Sequence, residues 1–265
     1  MLDSHSLAPR HSLGQNFLID HNLIRKLVDA AGVSSADTIL EVGPGTGALT
    51  EELLSRGAQV IAAELDQGLA GLLREHFQGQ PRFSLIEGDA LETKRSLAPA
   101  ITQSLAGRGF KLVANLPYAA ATPIISNLLL DYPSCTGLYV TIQREVADRL
   151  MASPGSKDYG AHSVIAHVTS TQKLIATLPL ECFWPRPKVT SAMIGLERRA
   201  APLVDNPHAF ADFVQKLFEQ RRKQLGAVLG RNHPFPQGVD PNARAESLSI
   251  AQLIELFAVR AEAGE

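Results

Sequence analysis

Three observations predict an α/β fold on a parallel sheet, followed by a small all-helical domain. Short apolar runs (38–42, 60–64, 83–86, 112–115 and 138–142) alternate with stretches of helical periodicity, the mark of right-handed βαβ units. Glycine or acceptor residues stand at the ends of four of these runs, where parallel sheets hold ligands. Beyond residue 200 the pattern becomes helical only.

Residues 1–12 are polar and expected to be loose. A helix follows with Leu23, Ile24, Leu27 and Val28 on one face, Asp20 as N-cap and Gly32 as stop. Thr38–Val42 reads as a buried strand, Gly43-Pro44-Gly45-Thr46-Gly47 as its turn, and Leu49, Leu53 and Leu54 as the inner face of a helix ended by Gly57. A second strand ends at Glu64, and Leu69, Leu72 and Leu73 mark the next helix. The third strand ends before Asp89 and the fourth at Asn115. Thr122-Pro123 reads as the N-cap and first-turn proline of another helix. Leu138–Ile142 is a fifth strand and Val189–Leu196 a last one. Arg198–Pro202 reads as a linker, Asn206-Pro207 as a cap for Phe210, Phe213, Val214, Leu217 and Phe218, and Ser249–Gln252 as a capping box.

The chain has 265 residues, enough for a large domain plus a small one. Lys and Arg number 25 against 27 Asp and Glu, so no overall basic field points to nucleic acid, and any polyanion surface must be local. Two cysteines, Cys135 and Cys182, suggest a reducing compartment without a disulfide framework. No signal-like segment or apolar run of membrane-spanning length stands out, and a cytoplasmic location is expected. His162 and His167 lack partners at metal-ligand spacing, so they read as structural and no metal site is expected.

Gly43, Gly45 and Gly47 form G-x-G-x-G, which is neither the G-x-G-x-x-G of dinucleotide sites nor a phosphate loop, since no Lys-Ser or Lys-Thr follows. Glu41-x-Gly43-x-Gly45-x-Gly47 resembles the signature of S-adenosylmethionine-dependent methyltransferases, which implies a Rossmann-like domain. Glu64 is an acceptor-only carboxylate suited to a ribose diol, and Asp89 could accept from an adenine amino group. Asn115-Leu116-Pro117-Tyr118 suits chemistry on a planar amine. The Asn oxygen and a backbone carbonyl held by the proline can both accept from one NH2, while the Tyr ring offers a stacking face. The tetrapeptide resembles the fourth motif of amino-methyltransferases, whose catalysis is positioning and electrostatics.

From Leu13 to near the C-terminus the chain resembles the small-subunit ribosomal RNA adenine N6,N6-dimethyltransferases. The likeness rests on Gly14-Gln15-Asn16-Phe17-Leu18, Gln143–Ala147, Ser153–Gly160, Phe183–Ala192, Arg221-Arg222-Lys223 and Asp240–Glu246. It implies dimethylation of N6 on two adjacent adenines of a terminal hairpin loop, during ribosome biogenesis. It places the cofactor on Asn16, Leu18, Gly43, Gly45, Glu64, Asp89 and Asn115. The reaction falls to Asn115, Leu116, Pro117 and Tyr118, with Phe183 sandwiching the base opposite Tyr118. It divides the chain into a catalytic domain (1–199) and a helical RNA-binding domain (200–265). Ala119, where relatives commonly carry a polar residue, and the slightly acidic balance are departures.

RNA contact is assigned to Arg186, Lys188, Arg221, Arg222 and Lys223, part of nine basic residues against four acids between 186 and 231. Arg221–Lys223 could equally complement a helix C-terminus. The alternatives are a large-subunit rRNA adenine methyltransferase, a non-catalytic assembly factor and, more remotely, a nicotinamide dehydrogenase. Nothing in the sequence demands more than a monomer.

Overall fold

The computed structural model describes residues 15–230 and 233–262. The segment 1–12, Gly14 of the opening motif and Arg231 of the basic count lie outside the described residues. In order, the elements are β1 (Phe17–Leu18), α1 (His21–Ala30), β2 (Thr38–Val42), α2 (Ala48–Ser55), β3 (Gln59–Glu64), α3 (Gln67–His76), β4 (Phe83–Glu87), β5 (Leu91–Thr93), β6 (Ser96–Leu97), α4 (Pro99–Leu105), β7 (Phe110–Asn115), α5 (Tyr118–Asp131) and β8 (Cys135–Gln143). There follow α6 (Arg144–Leu150), α7 (Ala161–Thr169), β9 (Ser170–Leu178), β10 (Phe183–Trp184), β11 (Ser191–Arg198), α8 (Pro207–Glu219), α9 (Leu225–Leu229) and α10 (Ile250–Glu262).

The main sheet has seven strands in the order β4-β3-β2-β7-β8-β11-β9. The strands from β4 to β8 pair in parallel, as the βαβ rhythm requires, and β11 turns back antiparallel to β8. From β2 the chain steps to β3 on one side and later returns to β7 on the other. The carboxyl ends of β2 and β7 therefore form the topological switch point, where such sheets open a crevice. Ile24, Leu27, Leu49 and Leu53 of α1 and α2 pack on Ile39, Val60 and Val113 in one buried cluster. Each such side chain contributes about 1.5–3 kcal/mol of burial.

Local signals placed several boundaries. The Asp20 carboxylate accepts from the N–H groups of Asn22 and Leu23, and Gly57 sits at φ +80° just past α2. Thr122-Pro123 does not open a helix. Pro117 caps α5, Ala120 and Ala121 donate to its carbonyl, and Pro123 lies inside the helix, five residues on from its first. A proline so near the N-terminus removes only one helical donor, so the helix starts earlier and runs through it.

The first unit comprises residues up to Ala147 together with Gln172–Arg198, and the second comprises Asp148–Thr171 with Arg199–Glu265. The second unit resumes at Arg199, beside the boundary expected there, and residues 148–171 of the expected catalytic domain group with it. Residues 148–171 supply Tyr159, Val164 and Val168 to a core shared with Phe210, Phe213, Leu217, Leu253 and Leu256. Tyr159 is fully buried, its hydroxyl donates to the Leu248 carbonyl at 3.1 Å, and its ring meets Phe218 edge-on at 5.6 Å. Within this unit Asn206 caps α8 through the Ala209 N–H, and Ser249 and Gln252 exchange the reciprocal bonds of a capping box. His167 bonds the Ser163 carbonyl at 2.8 Å.

Two arginines leave the phosphate count. The half-buried Arg198 donates to the carbonyls of Leu128, Leu129, Tyr132 and Cys135, closing the C-terminal end of α5. Arg199 donates to the His167 carbonyl at 3.0 Å. Arg198→Ala would leave several carbonyls without a donor, so a loss of about 2–4 kcal/mol is expected in urea unfolding. Arg198→Lys, whose donors all sit on one nitrogen, is expected to recover less than half of it. Equal stability of all three proteins would show the cap to be dispensable.

Candidate functional site

The site is built on a close approach of three chain segments. After β2 the chain turns through Gly43, Gly45 and Gly47, at φ +70°, +60° and +85°, a region side chains other than glycine rarely occupy. The Gly43 N–H reaches the Ala63 carbonyl at 2.9 Å, extending the β2–β3 ladder by one bond. A Cβ at Gly43 would lie 3.1 Å from Pro117, and one at Gly45 only 2.7 Å from the ring of Phe17. Glycine here lets the turn after β7 and the strand β1 close down on the loop. Beside them lies an open cleft of about 560 Å³, solvent at its mouth included.

The cleft is lined by Gln15, Asn16, Phe17, Gly43, Gly45, Glu64, Leu65, Leu69 and Asn115 through Tyr118. Leu18 lines a smaller adjoining cavity with Gly43, Thr46 and Asn115. Most of the residues assigned from sequence thus converge at the switch point. Two do not. Asp89 is exposed beyond β4, outside both cavities, and its carboxylate accepts from the Leu91 N–H at 2.9 Å. Phe183 is 2% exposed and belongs to the buried cluster that includes Leu18, Ile24 and Leu27. In the two-residue ladder Leu18 faces Phe183 and Phe17 faces Trp184, and strand alternation turns the second pair the other way. Trp184 is the exposed ring.

Glu64, at the end of β3, is buried yet lines the cleft. Its two oxygens accept from the backbone N–H groups of Gly45 (3.1 Å) and Asp66 (2.9 Å), which fixes the carboxylate while each oxygen keeps a further lone pair. Burial pushes its pKa up, and those two N–H groups pull it back. Asp66 caps α3 through the N–H groups of Gly68 and Leu69 and accepts from Gln15 Nε2 at 3.2 Å, tying the N-terminal segment to the cleft wall.

Asn115 ends β7 with a defined orientation. Its Nδ2 donates to the Asn16 carbonyl at 2.9 Å, which assigns the acceptor role to Oδ1. The Leu116 N–H is held by the Thr141 carbonyl at 3.1 Å. Tyr118, half-buried, bonds the buried Ser191 hydroxyl at 2.9 Å, and burial raises its pKa, so the phenol stays neutral and its ring is anchored at the cleft. Ser191 was legible from sequence as part of the last strand and of the family likeness, not as a site residue.

The residues fit S-adenosylmethionine. A glycine cradle admits close backbone approach, a fixed carboxylate at the second strand end suits a diol, and the apolar Leu65 and Leu69 border the same cleft. Leu65 and Leu69 were not legible as site residues, since apolar side chains after a strand read as core. Among the described residues no cluster of His, Cys, Asp or Glu is placed to hold a metal ion, and no helix is long and apolar enough to cross a membrane.

Comparison with known proteins gives concordant matches. The family model described as ribosomal RNA adenine dimethylase matches residues 7–262. A ribosomal RNA small subunit methyltransferase A of Pelotomaculum thermopropionicum is 39% identical over 269 residues, 95% of this chain and 91% of that protein. Its counterpart in Clostridium perfringens is 41% identical, over 91% of this chain and 87% of that one. Among solved structures, a dimethyladenosine transferase from Plasmodium falciparum superposes with a TM-score of 0.78 at 22% identity, covering 94% of this chain and 98% of its own. The 23S rRNA methyltransferase ErmE gives 0.70 at 27% identity, covering 92% and 98%.

The smaller adjoining cavity holds a second carboxyl group. Glu41 on β2 is 1% exposed, and burial, assisted by the charge of Glu64 and opposed by the Thr50 hydroxyl at 2.7 Å, pushes its pKa up to about 8. Folding therefore favours the protonated form. That stability is whole below the unfolded value of 4.5 and is lost as pH rises toward 8. Between these limits wild type loses up to about 1.4 kcal/mol per pH unit relative to Glu41→Gln, which stays neutral. Parallel pH–stability curves for the two proteins would show that Glu41 is ionised in the folded state.

Proposed function

The chain belongs to the ribosomal RNA adenine dimethylase family, and from that premise we propose that it dimethylates N6 of two adjacent adenines in the 3′-terminal hairpin loop of small-subunit rRNA. It is a methyltransferase, and its cofactor is S-adenosylmethionine. The observation that carries the assignment to an amine is the orientation of Asn115. With Nδ2 committed to Asn16, Oδ1 is the acceptor offered to an incoming NH2. The Leu116 carbonyl, held between the Thr141-bonded N–H and the rigid Pro117 ring, provides a second acceptor.

Two acceptors on one amino group matter because its lone pair is delocalised into the purine. Gripping both hydrogens draws the nitrogen toward tetrahedral geometry and aims the lone pair. When bound, S-adenosylmethionine supplies an activated methyl on sulfur. The chain holds the amine, packs Tyr118 against the base and needs no acid–base dyad of its own. Glu64 orients the cofactor's ribose through the lone pairs its backbone partners leave.

Support for a small-subunit substrate comes from the curated relatives at 39–41% identity, whose names specify that subunit, against 27% for the large-subunit enzyme. Arg186 and Lys188 in the first unit, and Arg222 and Lys223 in the second, are exposed and suited to phosphate contact. Arg221 is paired with Glu246 at 2.8 Å and serves the second unit's own packing first. The enzyme acts as a monomer in the cytoplasm, on small subunits during their biogenesis.

Tritium transfer from S-adenosylmethionine to unmethylated small subunits, followed by nucleoside analysis, is expected to place label in N6,N6-dimethyladenosine. Asn115→Ala is expected to lower that transfer by about 100-fold or more with the fold retained. Label confined to large-subunit RNA, or wild-type turnover by the variant, would overturn the proposal.

A further inference from the structure

We propose that Trp184 is a stacking platform for a nucleobase adjacent to the target adenine, a positioning role that rests on the RNA substrate proposed above. Trp184 is the only tryptophan in the chain, and at 46% exposure it is one of the few large apolar side chains left in water. Tryptophan is highly buried on average, and its neighbour Phe183 is buried on the same two-residue strand. The exposure is not a loose end, because the ring is braced. It stacks on Phe17 with centroids 6.3 Å apart and planes 24° from parallel. Phe17 in turn lines the cleft and lies against the Gly45 backbone. The rings thus lead outward from the glycine turn to the surface.

The surroundings suit RNA. Arg186 and Lys188 follow within four residues, both exposed, and the Arg186 side chain stands 3.9 Å from Glu181. Aromatic rings interleaved with basic side chains are the usual surface for single-stranded nucleic acid. The physical need is specific. Drawing one adenine out of a loop into the cleft leaves the neighbouring base unstacked, at a cost of a few kcal/mol. A braced indole beside the cleft mouth returns a stacking face to that neighbour, so extraction and docking proceed together.

The sole tryptophan gives a direct signal. Titration of the full chain with single-stranded hexa-adenylate RNA is expected to quench its fluorescence saturably, while an abasic oligomer of equal length leaves it nearly unchanged. With unmethylated small subunits, Trp184→Ala is expected to raise the RNA KM by about five- to 100-fold, with Trp184→Phe nearer wild type. Trp184→Phe, which keeps a ring on Phe17, is expected to leave S-adenosylmethionine affinity and thermal stability unchanged, which separates stacking from a disturbed β1–β10 ladder. Equal quenching by the abasic oligomer, or an unchanged KM in Trp184→Ala, would overturn the proposal. Absence of adenine methylation by wild type would instead defeat the proposed reaction, and the quenching comparison would then decide the stacking role by itself.

Discussion

The site depends on how closely backbone can approach backbone at the carboxyl ends of β2 and β7. Gly43 and Gly45 have no side chain to hold off Pro117 and Phe17, and their positive φ angles bend the chain back toward β3. From this one steric fact follow the closure of the cleft, the position of Glu64 under the Gly45 N–H, and the nearness of Asn115 to Asn16. The parallel sheet supplies the rigid frame. The glycines decide how tightly the frame is capped.

Electrostatics then divides two buried carboxyl groups by their partners. Glu64 has two backbone N–H donors to offset its desolvation, whereas Glu41 has one hydroxyl and a carboxylate for a neighbour. One is shaped as an oriented acceptor, and the other is driven toward its neutral form. A second formal charge beneath the glycine turn is thereby avoided.

What the sequence disclosed was whatever local chemistry determines. Asp20, Asn206 and the Ser249–Gln252 box act within four residues, and their roles could be read from spacing. The strand ends carrying Gly43, Glu64 and Asn115 were legible because βαβ repetition places them together. Pro123 misled because a first-turn proline and one a turn later look alike without knowing that Pro117 already caps the helix. Which of Phe183 and Trp184 points inward is set by pairing with a strand more than 160 residues earlier, and no local pattern encodes that. Strand β9 passed unnoticed, since an edge strand with mixed exposure lacks clean alternation. Nor does a local pattern encode the grouping of 148–171 with the second unit, as Tyr159 is claimed by a core assembled mostly from residues beyond 200.

The cleft wall contributed by Gln15 to Leu18 is joined to the rest by contacts that include a two-residue ladder to β10, the Ile19 N–H on the Cys182 carbonyl, and the side-chain bonds to Asp66 and Asn115. Any ligand that touches this wall binds only the docked arrangement, so its apparent affinity carries the docking equilibrium of the segment as a factor. Occupancy and docking are then thermodynamically reciprocal, and each favours the other by the same free energy. The N-terminal segment is thus a linked variable of the binding reaction, through which a change at β1 is felt as a change in saturation.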